Sequence, residues 1–346
     1  MRMLRPDTPL LGLVRRAAPL AEEPFALLDI GCSGGVPTCF RAFGGELVAV
    51  GVDPNLAEVE RLQRAEAMPG VSYLAGYVGL PEDDPFMVKR RTRDWWSNNP
   101  WDRLTAASFK EMLAARAGDV SQLTEINAWP AVSLADNHHS WTLDALAEVR
   151  LGRPPDFVKI DVDGADLAVI LSGVRTLADP RTLGVGVEVN YFGTADPMDN
   201  TFHNIDRELR ARGFELFDLT VRRYSTTALP ARFEFPTGGQ TQSGRIYQGD
   251  ALYLRDLAAA ANARQFEAAT APGLLKLICL FDLFGLPDCA AEIAMAASDR
   301  IEPLIPVASV LDALTLGVYP NAGSHAAVAE LWDNQPEAFL PERGAG

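Results

Sequence analysis

Short apolar runs alternate with amphipathic segments along the first part of the chain, and this alternation predicts its secondary structure. Mainly apolar runs at 25–30, 47–52 and 71–77 have the length of buried parallel strands. Between the second and third runs, positions 56–68 repeat apolar and charged residues at helical spacing, with Asn55 as the N-cap. Strands that alternate with helices in this order predict one half of a doubly wound α/β sheet.

These patterns resume after a less regular stretch and then change character. We predict strands at 157–162, 183–189, 214–219 and 251–254, and helices at 165–174 and 202–212. The looser pattern at about 80–140 indicates an insertion, and the Ala- and Leu-rich pattern after residue 256 indicates helices. The expected organisation is an N-terminal extension at 1–24, an α/β domain at 25–256 with the insertion at about 80–140, and a helical C-terminal region at 257–346.

The charge of the chain argues against one class of partner. Its 346 residues include 31 Lys and Arg against 46 Asp and Glu, a net charge of −15. We do not expect so acidic a chain to bind nucleic acid through a basic surface. The segment from Asp256 to the end holds four Lys or Arg against twelve Asp or Glu, and its helices are a candidate surface for a homo-oligomer.

The four cysteines and the apolar spans indicate the compartment. The cysteines show neither C-x-x-C spacing nor nearby histidines, so we expect neither a disulfide framework nor a zinc site. The first 23 residues lack a sustained apolar core, and no apolar span has the roughly 18 residues that a membrane helix needs. We therefore expect a cytoplasmic protein that does not insert into a membrane.

The first strand runs into a glycine-rich turn, Asp29-Ile30-Gly31-Cys32-Ser33-Gly34-Gly35, which is the strongest candidate for a ligand site. Glycines let the backbone approach a ligand closely, and the N–H groups of the following helix add donors. Asp29, two residues before the first glycine, would repel a pyrophosphate but attract an ammonium group. We therefore predict that Asp29, Gly31, Ser33 and Gly35 bind S-adenosylmethionine rather than a dinucleotide.

Two further strand ends extend this predicted cofactor site. Asp53 follows the second strand, where a carboxylate can accept hydrogen bonds from both ribose hydroxyls. Gly76 and Tyr77 end the third strand and would border an adenine. Nicotinamide-dependent oxidoreductases share a residue such as Asp53, so that class stays as an alternative, but it leaves Asp29 unexplained.

The fourth strand carries charged residues at positions where a central strand is normally apolar. Lys159 and Asp161 lie on one face, and burying them is costly without mutual pairing or a ligand. Because open α/β sheets bind ligands at the carboxyl ends of their strands, Asp161 belongs at the predicted site. Asp163 can instead cap the next helix. Glu188, on the fifth strand, should lie next to Asp161, and His203 falls in the first turn of the helix at 202–212.

The insertion combines cations and indole rings. Four Lys or Arg residues and three Trp residues fall between positions 89 and 101. Such a segment can pair with phosphate or carboxylate groups and stack on a sugar ring, or it can be a solvated surface insert. The residues predicted to contact an acceptor are Arg90, Arg93, Trp95, Trp96 and His138.

Four motifs together resemble the FkbM-type S-adenosylmethionine-dependent methyltransferases. They are the turn from Asp29 to Gly35, Asp53-Pro54-Asn55, Thr142-Leu143-Asp144, and Phe157-Val158-Lys159-Ile160-Asp161-Val162-Asp163-Gly164-Ala165-Asp166. The resemblance covers roughly residues 25–256. It implies a doubly wound, seven-stranded class I methyltransferase sheet, S-adenosylmethionine as cofactor, and O-methylation of a sugar, glycan or glycosylated natural product. Ser33 departs from a common glycine, and Asp53, Asp163 and Asp166 stand where the family usually has Glu.

The site then suggests roles for its polar residues. A hydroxyl acceptor needs a base, and we expect Asp161, Glu188 or His203 to take its proton while Lys159 keeps Asp161 ionised. The same oxygen-rich cluster could hold a divalent cation, although its spacing does not indicate one. A third class, a non-catalytic scaffold that binds the cofactor and acts through its acidic helices, also stays open.

Overall fold

The computed structural model describes residues 8–17, 19–91, 139–224 and 242–340. Within these ranges nine strands form one sheet. The strands are β1 (Phe25–Ile30), β2 (Leu47–Asp53), β3 (Val71–Val78), β4 (His139–Trp141), β5 (Phe157–Ile160), β6 (Gly184–Asn190), β7 (Glu215–Leu219), β8 (Arg222–Tyr224) and β9 (Arg245–Leu254).

The sheet is doubly wound. Its order is β4-β3-β2-β1-β5-β6-β9-β7, with β8 also paired to β9. Strands β1 to β6 pair in parallel, and β9 runs antiparallel to β6, β7 and β8. The chain moves outward from β1 through β2 and β3 and then returns to β5 on the other side of β1, which creates a topological switch point between β1 and β5. The predicted fold is thus confirmed, with β4 and β8 added to the expected seven strands.

Helices lie between the strands and after the last one. The first group is Pro9–Ala17, Thr38–Arg41, Leu56–Ala65, Pro85–Arg91, Leu143–Leu146, Asp166–Leu171, Val174–Ala178 and Phe202–Ala211. The second group follows β9 and comprises Ala263–Ala268, Ala271–Leu283, Pro287–Ala296, Ser298–Ile301, Val307–Val318 and His325–Asn334. Asn55 caps the helix Leu56–Ala65 as predicted, because its side chain accepts a hydrogen bond from the Glu58 N–H.

Two predicted elements differ most from the structure in their extent. The last strand begins at Arg245 rather than at 251, because its polar residues Gln248 and Asp250 face other polar side chains of the sheet. The single helix predicted at 165–174 is two helices, Asp166–Leu171 and Val174–Ala178, which are separated by Ser172 and Gly173.

One face of the sheet packs against the C-terminal helices. The Phe157 ring on β5 stacks 5.4 Å from that of Phe284, and the two belong to one buried apolar cluster that includes residues of the helix Ala271–Leu283. All ten residues at 274–283 are buried, since this helix lies between the sheet and the outer helices. The helical region therefore shares a core with β1 and β5, while the domain boundaries given above stay predictions.

A buried ion cluster joins the same helix to the amino-terminal edge of the sheet. Lys276 is fully buried, and its Nζ lies 3.2 Å from Asp156 Oδ1 and 2.9 Å from Glu23 Oε1. Asp156 also accepts a hydrogen bond from the Ala26 N–H at the start of β1. This cluster is at the opposite end of the strands from the glycine turn.

Candidate functional site

Polar side chains replace apolar ones on one face of the sheet, at the carboxyl ends of its central parallel strands. Alternation places Asp29, Lys159 and Glu188 on the face that carries Leu27 and Phe157. Asp29 pairs in register with Lys159 across β1 and β5, and two residues beyond this level Glu188 pairs with Asp250 across β6 and β9. The polar residues thus meet at the switch point, where doubly wound sheets bind their ligands.

Two glycines of the turn after β1 differ in the space available for a side chain. Gly31 has φ +81°, and a Cβ there would lie 1.8 Å from the backbone oxygen of Asp161, so a side chain is excluded. Gly34 also has a positive φ, +84°, but a Cβ there would meet no atom within 4 Å in the described part of the chain. The turn is therefore packed tightly against β5 on one side and is open beside Gly34. That opening is room for a ligand.

A buried ion pair forms the floor of this turn. Lys159 Nζ lies 3.1 Å from Asp29 Oδ1 and 3.6 Å from Asp161 Oδ2, and it donates a 2.9 Å hydrogen bond to the Gly31 carbonyl. Only 1% of the Asp29 side chain is exposed, against 44% for Asp161. The ammonium beside Asp29 is therefore that of Lys159, and the carboxylate open to a ligand is that of Asp161.

The pKa values reflect this burial. Burial raises the pKa of Asp29 to about 6, although the Lys159 charge acts in the opposite direction. Burial also opposes the charge on Lys159, but Asp29 and Asp161 outweigh it and raise the Lys159 pKa. The lysine therefore stays charged at neutral pH.

A second group of polar residues, Ser33, Asp53 and Tyr77, lies where the glycine turn meets β2 and β3. Asp53 Oδ2 accepts hydrogen bonds from the Ser33 N–H at 3.1 Å and from its hydroxyl at 3.0 Å, and Oδ1 accepts one from the Asn55 N–H at 2.8 Å. Asp53 pairs in register with Ala75 across β2 and β3, so Tyr77, two residues farther along β3, projects from the same face of the sheet. Burial, followed by the Asp53 charge, raises the pKa of Tyr77. Gly76 precedes it on β3. Ser33, Asp53 and Tyr77 are thus brought together.

Glu188 is a buried carboxylate beside this floor. Its Oε1 accepts a 2.7 Å hydrogen bond from Arg222, and its Oε2 lies 3.4 Å from Gln248 Nε2. Burial, followed by the charges of Asp161 and Asp166, raises its pKa to about 7 despite the Arg222 partner. The carboxylate can therefore exchange a proton near neutral pH.

Arg222 was missed by the sequence analysis. It bonds Glu188 through Nη1 and Asp250 through Nη2, the latter at 2.9 Å from Oδ2, and so bridges β6 and β9. Its neighbours depend on the pairing of β8 with β9, and no motif marks that pairing.

The helix cap predicted for Asp163 was wrong. The Asp166 carboxylate instead accepts hydrogen bonds from the N–H groups of Val162 and Gly164, both at 3.1 Å, and from the Asn200 amide at 3.0 Å. Asp163 has φ +51° and is exposed.

The other predicted site residues lie farther from this cluster or outside the described ranges. His203 is exposed in the helix Phe202–Ala211, and its Nε2 lies 3.4 Å from the Thr201 hydroxyl. Arg90 belongs to the helix Pro85–Arg91, of whose end only the backbone is described. Arg93, Trp95, Trp96 and His138 lie outside the described residues.

Asn190, at the end of β6, was also missed. Its side chain is 4% exposed, and Oδ1 accepts no hydrogen bond from the residues that the structure describes. A buried polar atom without a hydrogen-bond partner is uncommon. The sequence shows only that Asn190 is a second polar residue two positions after Glu188, and it does not reveal the missing partner.

In residues 8–17, 19–91, 139–224 and 242–340, no three His, Cys, Asp or Glu side chains are grouped to bind a metal ion. None of the helices in these ranges is long and apolar enough to cross a membrane.

The site fits a nucleoside that carries an amino-acid tail. Asp53 is held to the glycine turn through Ser33, next to the open space at Gly34, and Tyr77 projects from the same face of the sheet on the neighbouring strand. Asp161 offers a half-exposed carboxylate on the other side of the turn. The strand order and this site define a class I methyltransferase fold.

Comparisons with known proteins match one part of the chain to a known domain. Residues 140–216, which include β5, β6 and Glu188, match the model of the methyltransferase FkbM domain. The match assigns a methyltransferase FkbM domain to this part of the chain, 77 of its 346 residues. It lies within the range over which the resemblance was predicted. No curated protein matches the chain.

Solved structures of methyltransferases show distant similarity. A TehB-like S-adenosylmethionine-dependent methyltransferase from Corynebacterium glutamicum is 12% identical, with 72% of this chain and 88% of that chain covered and a TM-score of 0.24. Magnesium protoporphyrin IX methyltransferase from Synechocystis, with bound S-adenosylhomocysteine, is 11% identical over 71% and 82% of the two chains, with a TM-score of 0.29. Because these scores are low, the assignment rests on the strand order and the domain match.

Proposed function

We propose that this protein transfers the methyl group of S-adenosylmethionine to a hydroxyl of a sugar, a glycan or a glycosylated natural product. The observation that supports this most strongly is Glu188, a buried carboxylate whose pKa is raised to about 7 and which shares a face of the sheet with Asp29 and Lys159. A base with such a pKa suits the removal of a hydroxyl proton at neutral pH. Its position on β6 puts it next to β5, whose end borders the glycine turn.

The cofactor would be held by the residues predicted from the sequence. Gly31 and Gly35 allow the backbone to approach it, Asp53 and Ser33 hold the ribose side, and Gly76 and Tyr77 border the base. Asp29 supports this site indirectly, since it fixes Lys159, which in turn holds the Gly31 carbonyl.

The chemistry asks little of the protein beyond position and proton removal. When bound, S-adenosylmethionine supplies a methyl group on a sulfonium, which is already a good leaving group. The chain must then hold the acceptor hydroxyl in line and accept its proton. Glu188 takes that proton, while Arg222 fixes the direction of the carboxylate. Asp161 is the second candidate base, and the exposed His203 is the third.

The acceptor is proposed to be neutral at this end of the site. Asp161, Asp163 and Glu188 carry carboxyl groups on or just beyond the neighbouring strands β5 and β6, and such groups repel an anion. Arg90, Arg93, Trp95, Trp96 and His138 stay proposed contacts for more distant parts of the acceptor.

A homo-oligomer through the C-terminal helices is a further part of the proposal. Apolar side chains on the last two helices and the loop between them are exposed, including Val318 at 42%, Tyr319 at 44% and Trp332 at 57%. An exposed apolar patch of this kind is common at protein–protein interfaces. Light scattering of the intact chain and of Trp332→Glu tests this, since a dimer should dissociate in the variant.

The proposed base is tested by transfer of a tritiated methyl group to a panel of methyl glycosides. Glu188→Gln should lower turnover by roughly 10²–10⁴-fold and leave the affinity for S-adenosylhomocysteine nearly unchanged. Glu215→Gln is the matched control, because Glu215 is half exposed and pairs with Arg210 on the surface. If Glu188→Gln stays fully active and Asp161→Asn does not, the base is Asp161. Full activity of both variants contradicts a carboxylate base.

A further inference from the structure

Asn190 differs from the other buried asparagines of the fold. Asn200 Oδ1 accepts a 2.7 Å hydrogen bond from the Leu167 N–H, and its Nδ2 donates to Asp166. Asn204 Nδ2 donates to the carbonyls of Asp196 and Asp199 at 2.8 and 2.9 Å. Asn190 Oδ1 has no such partner in the described part of the chain, although the residue is only 4% exposed.

The position of Asn190 connects it with the proposed base. Asn190 follows Glu188 by two residues on β6, so both side chains project from the same face of the sheet, about 6.6 Å apart along the strand. Across β9, Asn190 pairs in register with Gln248, which lies 3.4 Å from the Glu188 carboxylate. Asn190 is therefore one step beyond Glu188 toward the carboxyl end of the strand, where ligands bind.

The chemistry of the two groups selects the ligand. A carboxamide presents an acceptor oxygen and a donor nitrogen, and it can exchange them by a half-turn. A hydroxyl both donates and accepts, so it satisfies the carboxamide in either orientation. An anion is disfavoured by the neighbouring carboxylates, and an apolar group would leave Asn190 Oδ1 unpaired.

We propose that Asn190 binds a second hydroxyl of the acceptor, adjacent to the hydroxyl that Glu188 deprotonates, and that the enzyme therefore selects vicinal diols. The two residues are about 6.6 Å apart along the backbone of β6, and hydrogen bonds of about 2.8 Å each can join their side chains to two hydroxyl oxygens that are neighbours on one ring. The inference rests on the proposed function, because it assigns a role to the acceptor of that reaction.

The first test needs no acceptor. Asn190→Leu removes the unpaired carboxamide and keeps a similar volume, whereas Asn200→Leu removes a paired one. Thermal unfolding of the free proteins should show an equal or higher Tm for Asn190→Leu and a Tm lowered by several degrees for Asn200→Leu. If Asn190→Leu loses as much stability as Asn200→Leu, Asn190 serves the fold and the inference is wrong.

The second test measures selectivity at saturating S-adenosylmethionine. The probes are methyl glycosides of glucose, galactose, mannose and rhamnose, each compared with its monodeoxy forms. The wild type should lose at least about tenfold in kcat/KM when the hydroxyl next to the methylated one is absent, and Asn190→Leu should not discriminate. Equal discrimination by both proteins overturns the role of Asn190.

The outcomes separate this inference from the proposed function. If the wild type methylates glycosides through Glu188 but Asn190→Leu keeps its selectivity, only the diol contact fails. If the wild type binds S-adenosylhomocysteine but methylates none of the glycosides, the proposed acceptor class fails and the diol contact with it.

Discussion

The buried pair of Asp29 and Lys159 gives the sharpest prediction about the floor of the site. Replacing Lys159 by Met removes the cation 3.1 Å from a carboxylate that is 1% exposed. Breaking a buried ion pair on one side costs about 3–5 kcal/mol, because the remaining charge loses its partner. Asp29, whose pKa is already raised to about 6, can escape part of this cost by taking up a proton. We therefore expect a loss of about 3 kcal/mol at pH 8.

The loss should depend on pH in a defined direction. In Lys159→Met the Asp29 pKa rises further in the folded state than in the wild type. A carboxylic acid with a raised folded-state pKa binds its proton more tightly when folded, so its stabilising contribution is lost as the pH rises toward that pKa. The difference between the wild type and Lys159→Met should therefore be small at pH 5 and grow between pH 6 and 8.

Urea unfolding, monitored by circular dichroism at each pH, measures this difference in the free energy of unfolding. The double variant Asp29→Asn/Lys159→Met should recover most of the lost stability, because both charges are then absent. Lys276→Met is the matched control: it also removes a buried cation, 3.2 Å from Asp156, but at the other end of the strands. It should destabilise the fold and leave binding of S-adenosylhomocysteine intact, whereas Lys159→Met should weaken that binding. Additive effects of the two single changes at Asp29 and Lys159 would refute the reasoning.

Two other perturbations test different parts of the site. Because the Glu188 pKa is raised from 4.5 to about 7, the free energy of unfolding should fall by at most about 3 kcal/mol as the pH rises from 4.5 to 7. In urea titrations, Glu188→Gln should show a smaller fall over the same pH range. An equal fall in the wild type and the variant would contradict the raised pKa of Glu188. Gly31→Ala should prevent stable folding, since its Cβ would overlap the Asp161 backbone, whereas Gly34→Ala should cost only about 1–2 kcal/mol. Equal Tm values for Gly31→Ala and Gly34→Ala would show that the positive φ, and not the overlap with Asp161, determines the loss of stability.

Much of the site was accessible from the sequence because it interrupts a simple pattern. Asp29, Asp53, Lys159 and Glu188 each interrupt a mainly apolar strand near its carboxyl end. Strand periodicity places them on one face, and the parallel order brings the strand ends together.

What the sequence did not reveal depends on the pairing of distant segments. Lys159 could pair with Asp29 or Asp161, and only the register of β1 with β5 puts the shorter of its two carboxylate contacts on Asp29. Arg222 reaches Glu188 because β8 pairs with β9, more than twenty residues farther along the chain. The unpaired oxygen of Asn190 is a property of its packed surroundings and leaves no mark in the residue pattern.

Either of two aspartates could accept hydrogen bonds from the backbone N–H groups that follow β5. Asp163 and Asp166 both stand within reach of the start of the next helix, and the left-handed backbone at Asp163 decides between them. It leaves Asp163 exposed and gives the backbone N–H groups to Asp166.

The most direct test of the central claim is a calorimetric titration of the intact chain and of Asp53→Ala with S-adenosylhomocysteine. Asp53 joins the glycine turn to β2 through Ser33 and projects from the same face of the sheet as Tyr77, so its loss should weaken binding by about tenfold or more. We expect one site per chain, affinity in the micromolar range for the wild type, and no binding of NADH. No binding of S-adenosylhomocysteine, or equal affinity in Asp53→Ala, would contradict the site described above.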